Sequence, residues 1–131
     1  MLTVGQLAER SGVPATTLRY YDDIGILVAE RLPNGHRRYP AQALERLVLV
    51  QLCQRLGLRL DEVAAVLGPG GGDRRREVAV RHLRDVDHRI RELNAVRGVL
   101  THFAECRHGA GEREACEGVV GAALRAGGLG P

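Results

Sequence analysis

The sequence predicts an all-α protein with one small β-wing: a winged helix-turn-helix domain followed by a long helix of coiled-coil character. Three features of the 131-residue chain carry this reading. A capped helix pair opens the sequence, an Asn34-Gly35 turn sits among basic residues, and apolar positions from Ala79 to Leu100 alternate in steps of three and four.

Thr3-Val4-Gly5-Gln6 reads as a capping box, in which the Thr hydroxyl accepts from a helix N–H and the Gln side chain reaches back. Gly12 supplies the positive φ that stops this helix, and Pro14 suits the first position of the next. Two short helices joined by a glycine-containing turn make a helix-turn-helix unit, whose second helix can enter a major groove. That helix carries Thr16, Thr17, Arg19 and Tyr20. The Asn34-Gly35 hairpin then presents His36, Arg37, Arg38 and Tyr39 as a basic wing.

Pro40 opens a further helix in which Leu44, Leu47, Val48, Leu52 and Leu56 recur near helical spacing, and Gly57 ends it. Another runs from about Leu60 to Leu67, presents Val63, Ala64 and Leu67, and finishes at Gly68. Pro69-Gly70-Gly71-Gly72 breaks any continuous helix and reads as a hinge; without Gly-Lys-Ser/Thr or a preceding strand it is no phosphate loop. From Asp73 to about Glu105 the positions Ala79, Leu83, Val86, Ile90, Leu93, Arg97 and Leu100 form a coiled-coil seam, with charged residues on the other faces. A lone helix would expose those leucines, so pairing with a second copy is the economical arrangement, the alternative being packing back on the N-terminal domain. Arg97 interrupts the apolar seam at a position that can set register.

Composition bounds the function. The chain suits one domain plus an appendage. All 19 basic residues are Arg, which base composition of the genome explains without selection, and the net charge is only +3. The basic character that matters is local, in Arg19, Arg31, His36, Arg37 and Arg38, a set suited to phosphates. No apolar run approaches a membrane span and Met1-Leu2-Thr3 leads into a capped helix without a signal-peptide pattern, so a cytoplasmic protein is expected. No histidine is paired in sequence with a nucleophile and no cofactor fingerprint appears, so no enzyme is expected. His82, His88 and His102 read as helix-surface residues, and Cys53, beside Leu52 and Leu56, as a small packing side chain.

The stretches VGQLAERSGVPATTLRYYDDIGIL, NGHRRY and LGLRLDEVAAVL, in this order, resemble the DNA-binding domain of the MerR family of transcription regulators over residues 1 to about 68. The resemblance divides the chain into a winged helix-turn-helix domain (1–68), a hinge (69–73), a dimerisation helix (74–105), and an effector-binding loop with a C-terminal tail (106–131). It implies that the long helix forms an antiparallel coiled coil in a homodimer. It further implies that the dimer sits on double-stranded DNA at a promoter operator and acts on RNA polymerase indirectly, by distorting the DNA. Arg19 and Arg37 are then expected on phosphates, Tyr20 in groove contacts, Thr16 and Thr17 in hydroxyl contacts, His36 in the basic wing, and Tyr39 in shaping it.

The tail poses a second chemical question. Cys106 and Cys116 bracket a glycine-containing loop, and thiolates suit copper-group ions, zinc and mercury, with His108 a candidate further ligand. The spacing matches no zinc finger, but paired cysteines after the dimer helix are where metal-sensing members of the family hold their effector. Two departures qualify this: the loop is somewhat longer than usual, and Gly70-Gly71-Gly72-Asp73 offers no thiolate where divalent-ion sensors carry one from the other subunit. A two-thiolate site for a monovalent copper-group ion is therefore favoured over zinc or mercury. A Cys106–Cys116 redox switch and an organic effector stand as alternatives. A metal- or drug-sequestering module is the alternative of another class, and it gives no reason for Arg37 beside Asn34-Gly35 and Tyr39.

Overall fold

The computed structural model describes residues 1–107, 109 and 114–130. Two compact units divide the chain, Met1–His82 and Leu83–Pro131. In order, the elements are α1 (Val4–Ser11), α2 (Ala15–Asp23), β1 (Glu30–Arg31), β2 (Arg37–Arg38), α3 (Gln42–Arg55), α4 (Leu60–Leu67), α5 (Gly72–Glu105) and α6 (Glu114–Ala126). No helix is long and apolar enough to cross a membrane among the described residues.

In the first unit the capping box forms as expected. Thr3 Oγ1 accepts from the Gln6 N–H at 3.0 Å, and Gln6 Oε1 accepts from the Thr3 N–H at 2.9 Å. Gly12 closes α1 in the left-handed region at φ 74°. Pro14 stands one residue earlier than expected, as the N-cap of α2 rather than its first helical residue. The wing pairs Glu30 with Arg38 and Arg31 with Arg37, antiparallel. Its connection is wider than a two-residue hairpin: the Leu32 N–H bonds the His36 carbonyl at 2.8 Å, with Gly35 at φ 83° inside the turn. Leu2 and Tyr39 exchange backbone hydrogen bonds of 2.7 and 2.8 Å, so the start of the chain lies along the wing as a third, one-residue strand.

Leu7, Leu18, Ile26, Leu27, Tyr39, Leu47, Val50 and Val63 form the buried centre of this unit. Each such side chain contributes roughly 1.5–3 kcal/mol by leaving water. Helix α3 inserts Ala43, Leu47 and Val50, while Val48, Leu52 and Leu56 of the expected stripe face outward. Apolar and polar residues are both spread round this helix, so spacing alone does not select its inner face.

Helix α4 is tied to the start of α5 by a buried carboxylate. Glu62, 4% exposed, accepts the Arg59 backbone N–H at 2.9 Å, pairs with Arg81 and bonds His82 Nε2 at 3.0 Å. The Arg59 N–H first, then His82, hold its pKa at about 2 against the opposing effect of burial. His82 is thus a partner in this network and largely buried, not a surface residue. Because the folded pKa lies below the ordinary 4.5, this network's contribution is complete above about pH 4.5 and is lost as pH falls through about 2. Thermal melts across that window should show an acid-side loss that is smaller in Glu62→Gln; superimposable pH profiles would disprove the contribution.

The segment read as a hinge is cross-braced. A Cβ on Gly25, already at φ 82°, would lie 2.7 Å from Pro69 Cδ, so glycine is required both for backbone conformation and for the close approach. Arg75 donates to the carbonyls of Gly68 and Gly70, and Arg46 to those of Ile26 and Leu67. Helix α5 begins at Gly72, two residues before the expected boundary.

The second unit contains the rest of α5 and α6, a helix within the stretch expected as loop and tail. A Cβ on Gly98 would lie 3.8 Å from Ala123 Cβ, and one on Gly127 would lie 3.3 Å from the Arg91 carbonyl. The two helices therefore run antiparallel, with Ala95 buried. At 3.6 residues per turn, Arg91, Ala95, Gly98 and His102 share one face of α5, about a third of a turn from Leu83, Ile90, Leu93 and Leu100. That second stripe is exposed, Leu93 at 68% and Leu100 at 62%.

Candidate functional site

The first unit carries a basic cleft of about 560 Å³ where the wing meets the start of α1 and Arg19 of α2, lined by Thr3, Val4, Arg19, Arg31, His36, Arg37 and Arg38. The α1–α2 turn sets the helix and the Leu32–His36 turn sets the wing, so the cleft follows directly from the caps described above. Thr16, Arg19 and Tyr20 are exposed on α2, and Thr17 is half-buried. Two wing residues are turned inward. Arg37 turns inward, its Nε 3.2 Å from Asp22 Oδ2 and a terminal nitrogen 3.6 Å from Asp23 Oδ1, bracing the wing on the end of α2. Tyr39 is fully buried, its hydroxyl donating to Asp22 Oδ2 at 3.4 Å, and burial pushes its phenol pKa up. It shapes the wing from inside and offers no surface for DNA. Arg31 and Arg38, which line the cleft, were legible only as members of a basic cluster.

The second unit brings together three soft or borderline ligands. The Cys106 N–H bonds the His102 carbonyl at 2.8 Å, carrying the last turn of α5 onward, while Cys116 lies in the first turn of α6 and is buried. Their sulfurs are 3.5 Å apart, and His102 Nε2 is 3.3 Å from Cys116 Sγ. All three ligand atoms lie within 4.8 Å of one another. His102 is therefore no plain surface residue; its four-residue spacing from Cys106 was the available signal, since i and i+4 share a helix face. His108 lies outside the described residues. Cys53 packs half-buried against the core of the first unit, where burial raises its thiol pKa.

A groove-sized helix with a basic wing braced on it defines a helix-turn-helix DNA-binding regulator, and a separate helical unit bears the thiol cluster. Residues 2–68 match the family described as MerR HTH family regulatory protein, and residues 44–103 match the one described as MerR, DNA binding. The HTH-type transcriptional regulator HmrR of Rhizobium leguminosarum bv. viciae is 35% identical over 113 residues, covering 82% of this chain and 88% of that protein. The mercuric resistance operon regulatory protein of Bacillus cereus is 29% identical over 108 residues, covering 78% and 82%. Among solved structures, HiNmlR, a MerR family regulator lacking the sensor domain and bound to promoter DNA, aligns with a TM-score of 0.54 at 25% identity, over 92% of this chain and 98% of that one. The chain belongs to the MerR family and is a DNA-binding transcription regulator; the proteins it resembles are regulators and not enzymes.

Proposed function

We propose that this regulator works as a homodimer on a promoter operator, distorts the DNA, and takes a thiophilic metal ion as its signal. The observation that carries the metal reading is the approach of Cys106 and Cys116 to 3.5 Å across the α5–α6 junction. Its support is the chemistry of the donors, since two thiolates and an imidazole suit copper-group ions, zinc and mercury, and a bound ion would tie the two helices together. The likeness to a mercuric resistance regulator agrees with it. An ion switches such a protein only if the ligands come closer to ideal in one dimer geometry than in the other, so the α5–α6 junction must differ between the repressing and activating states. Operator distortion draws on DNA deformability, which lets the protein change promoter output without new base contacts. The test is in vitro transcription with Cu(I), Ag(I), Zn(II) and Hg(II) under reducing conditions, alongside metal analysis of the purified protein. No bound metal and no response to any ion would end this reading.

A second reading has a specific observation behind it. Sulfurs 3.5 Å apart need little movement to form a disulfide, whose bond length is about 2.05 Å. Activation by oxidant in metal-free buffer would favour it.

On the DNA side, Arg19, Arg31 and Arg38 are assigned to phosphates, Tyr20 to the groove, Thr16 and Thr17 to hydroxyl contacts and His36 to the wing edge. Arg37 and Tyr39 hold the wing in place. Arg19→Ala should therefore lower the slope of log affinity against log salt by about one unit. Arg37→Ala should weaken binding with a smaller change of slope, because it releases the wing from Asp22 and Asp23. Equal slope changes for the two variants would return Arg37 to the phosphates.

A further inference from the structure

We propose that His102 is the third protein donor of the thiol site, and that it makes this a site for a divalent ion of the zinc class instead of a two-coordinate monovalent ion. The inference rests on the reading of Cys106 and Cys116 as effector ligands and names the ion they take. Three observations carry it.

The first is placement. His102 lies on the face of α5 that meets α6, a face that also carries the small residues Ala95 and Gly98. There its Nε2 is 3.3 Å from Cys116 Sγ, and the hydrogen bond from the Cys106 N–H to the His102 carbonyl keeps His102 and Cys106 one helical turn apart on the same side. One helix thus supplies two donors at fixed spacing, and α6 supplies the third.

The second is the separation of the sulfurs. Around a tetrahedral ion with metal–sulfur bonds of about 2.3 Å, two sulfurs stand roughly 3.8 Å apart, whereas linear coordination sets them about two bond lengths apart, roughly 4.6 Å. The observed 3.5 Å is nearer the first value than the second, while the set as a whole lies within 4.8 Å, so the His102–Cys106 pair has further to close on an ion than the other two. A nitrogen and a sulfur on a tetrahedral ion stand about 3.6 Å apart, close to the 3.3 Å between His102 Nε2 and Cys116 Sγ.

The third is charge. Cys116 is 5% exposed, while His102 and Cys106 are half-buried, so the charge at the Cys116 sulfur is the part largely removed from water. Two thiolates, a neutral imidazole and a divalent ion sum to zero, whereas a monovalent ion leaves one negative charge, and uncompensated buried charge is costly. A divalent zinc-class ion also accepts the mixed sulfur and nitrogen set with a fourth position open, while a monovalent copper-group ion is satisfied by two thiolates and has no use for the imidazole.

The experiment uses the full-length dimer or chain as purified, reduced and metal-free. Zn(II) and Ag(I) affinities are measured by competition against chelators for wild type, His102→Gln and Cys106→Ser, and Co(II) loaded into the wild type is examined by X-ray absorption. We expect His102→Gln to weaken Zn(II) at least about tenfold, the scale on which even outer partners of a metal site act, with Ag(I) affinity nearly unchanged. We also expect one nitrogen and two sulfur scatterers around Co(II), an observation that needs no variant to fold. Equal Zn(II) affinities for wild type and His102→Gln, or a cobalt shell without nitrogen, would overturn the role of His102 while Cys106→Ser still abolished binding. If Cys106→Ser bound every ion as wild type does, the reading of the cysteines would fall instead, and the inference with it.

Discussion

Cys106→Ser and Cys116→Ser are each expected to keep operator affinity and to lose metal-dependent activation down to the uninduced level. A serine hydroxyl is a neutral, hard donor and replaces neither the charge nor the softness of a thiolate. The two positions are not equivalent in packing: Cys116 is buried in the first turn of α6, while Cys106 is only half-buried. Burying a hydroxyl without a full set of partners costs about 1–3 kcal/mol, so Cys116→Ser should also melt earlier, and Cys106→Ser should not. Cys53→Ser is the control. It removes a packing thiol from the first unit and should cost stability while leaving induction intact. Operator binding by gel shift and transcription in vitro across the four ions read both effects. Wild-type induction in both loop variants would transfer the effector role away from the cysteines.

Leu93→Asp should convert the protein to a single chain in sedimentation and reduce operator affinity by orders of magnitude, while leaving the fold of the chain in place. The reason lies in where the side chain stands. Leu93 is 68% exposed in the isolated chain, so a charge there costs the monomer little. Across a paired seam the same carboxylate would be buried without a partner. Leu83, Ile90 and Leu100 share its stripe and are exposed as well, so the apolar area that pairing removes from water is large and continuous. A helical-content signal equal to wild type, together with a halved mass, is the expected pair of results. A wild-type mass of one chain at micromolar concentration would remove the homodimer from the proposed function.

What the sequence reveals here is punctuation. Thr3 with Gln6, Gly12, Gly35, Gly57 and Gly68 mark where helices and turns begin and end, and their effects are local, so α1 to α4 and the wing are readable from spacing alone. Three other features depend on partners that the sequence does not place. Arg37 has the right charge for a phosphate, and only the folded wing reveals Asp22 and Asp23 beside it. His82 has Glu62 as a partner twenty residues away on another helix, which helical periodicity cannot show. Helix α6 contains Gly118 and Gly121, which disfavour helix in an isolated peptide, and it forms against α5, where Gly98 admits Ala123. Once α6 is in place, His102 joins the thiols, and without it the histidine reads as solvent-facing.

The thiol cluster is drawn from one contiguous stretch, residues 102 to 116, on two helices joined end to end. Closing so short a segment carries a small entropic cost, which rises only by about 0.6 kcal/mol for each doubling of length, and such near-neighbour contacts are the quickest to form. If these three residues capture an ion as proposed, the capture is an event within one polypeptide, first order in protein. A site completed by a ligand from a second chain would lose sensitivity whenever the regulator became scarce, because dimer population falls with dilution. On the proposed metal reading these three donors stand beside one another in every copy of the chain, so assembling them does not depend on how many copies of the regulator a cell holds.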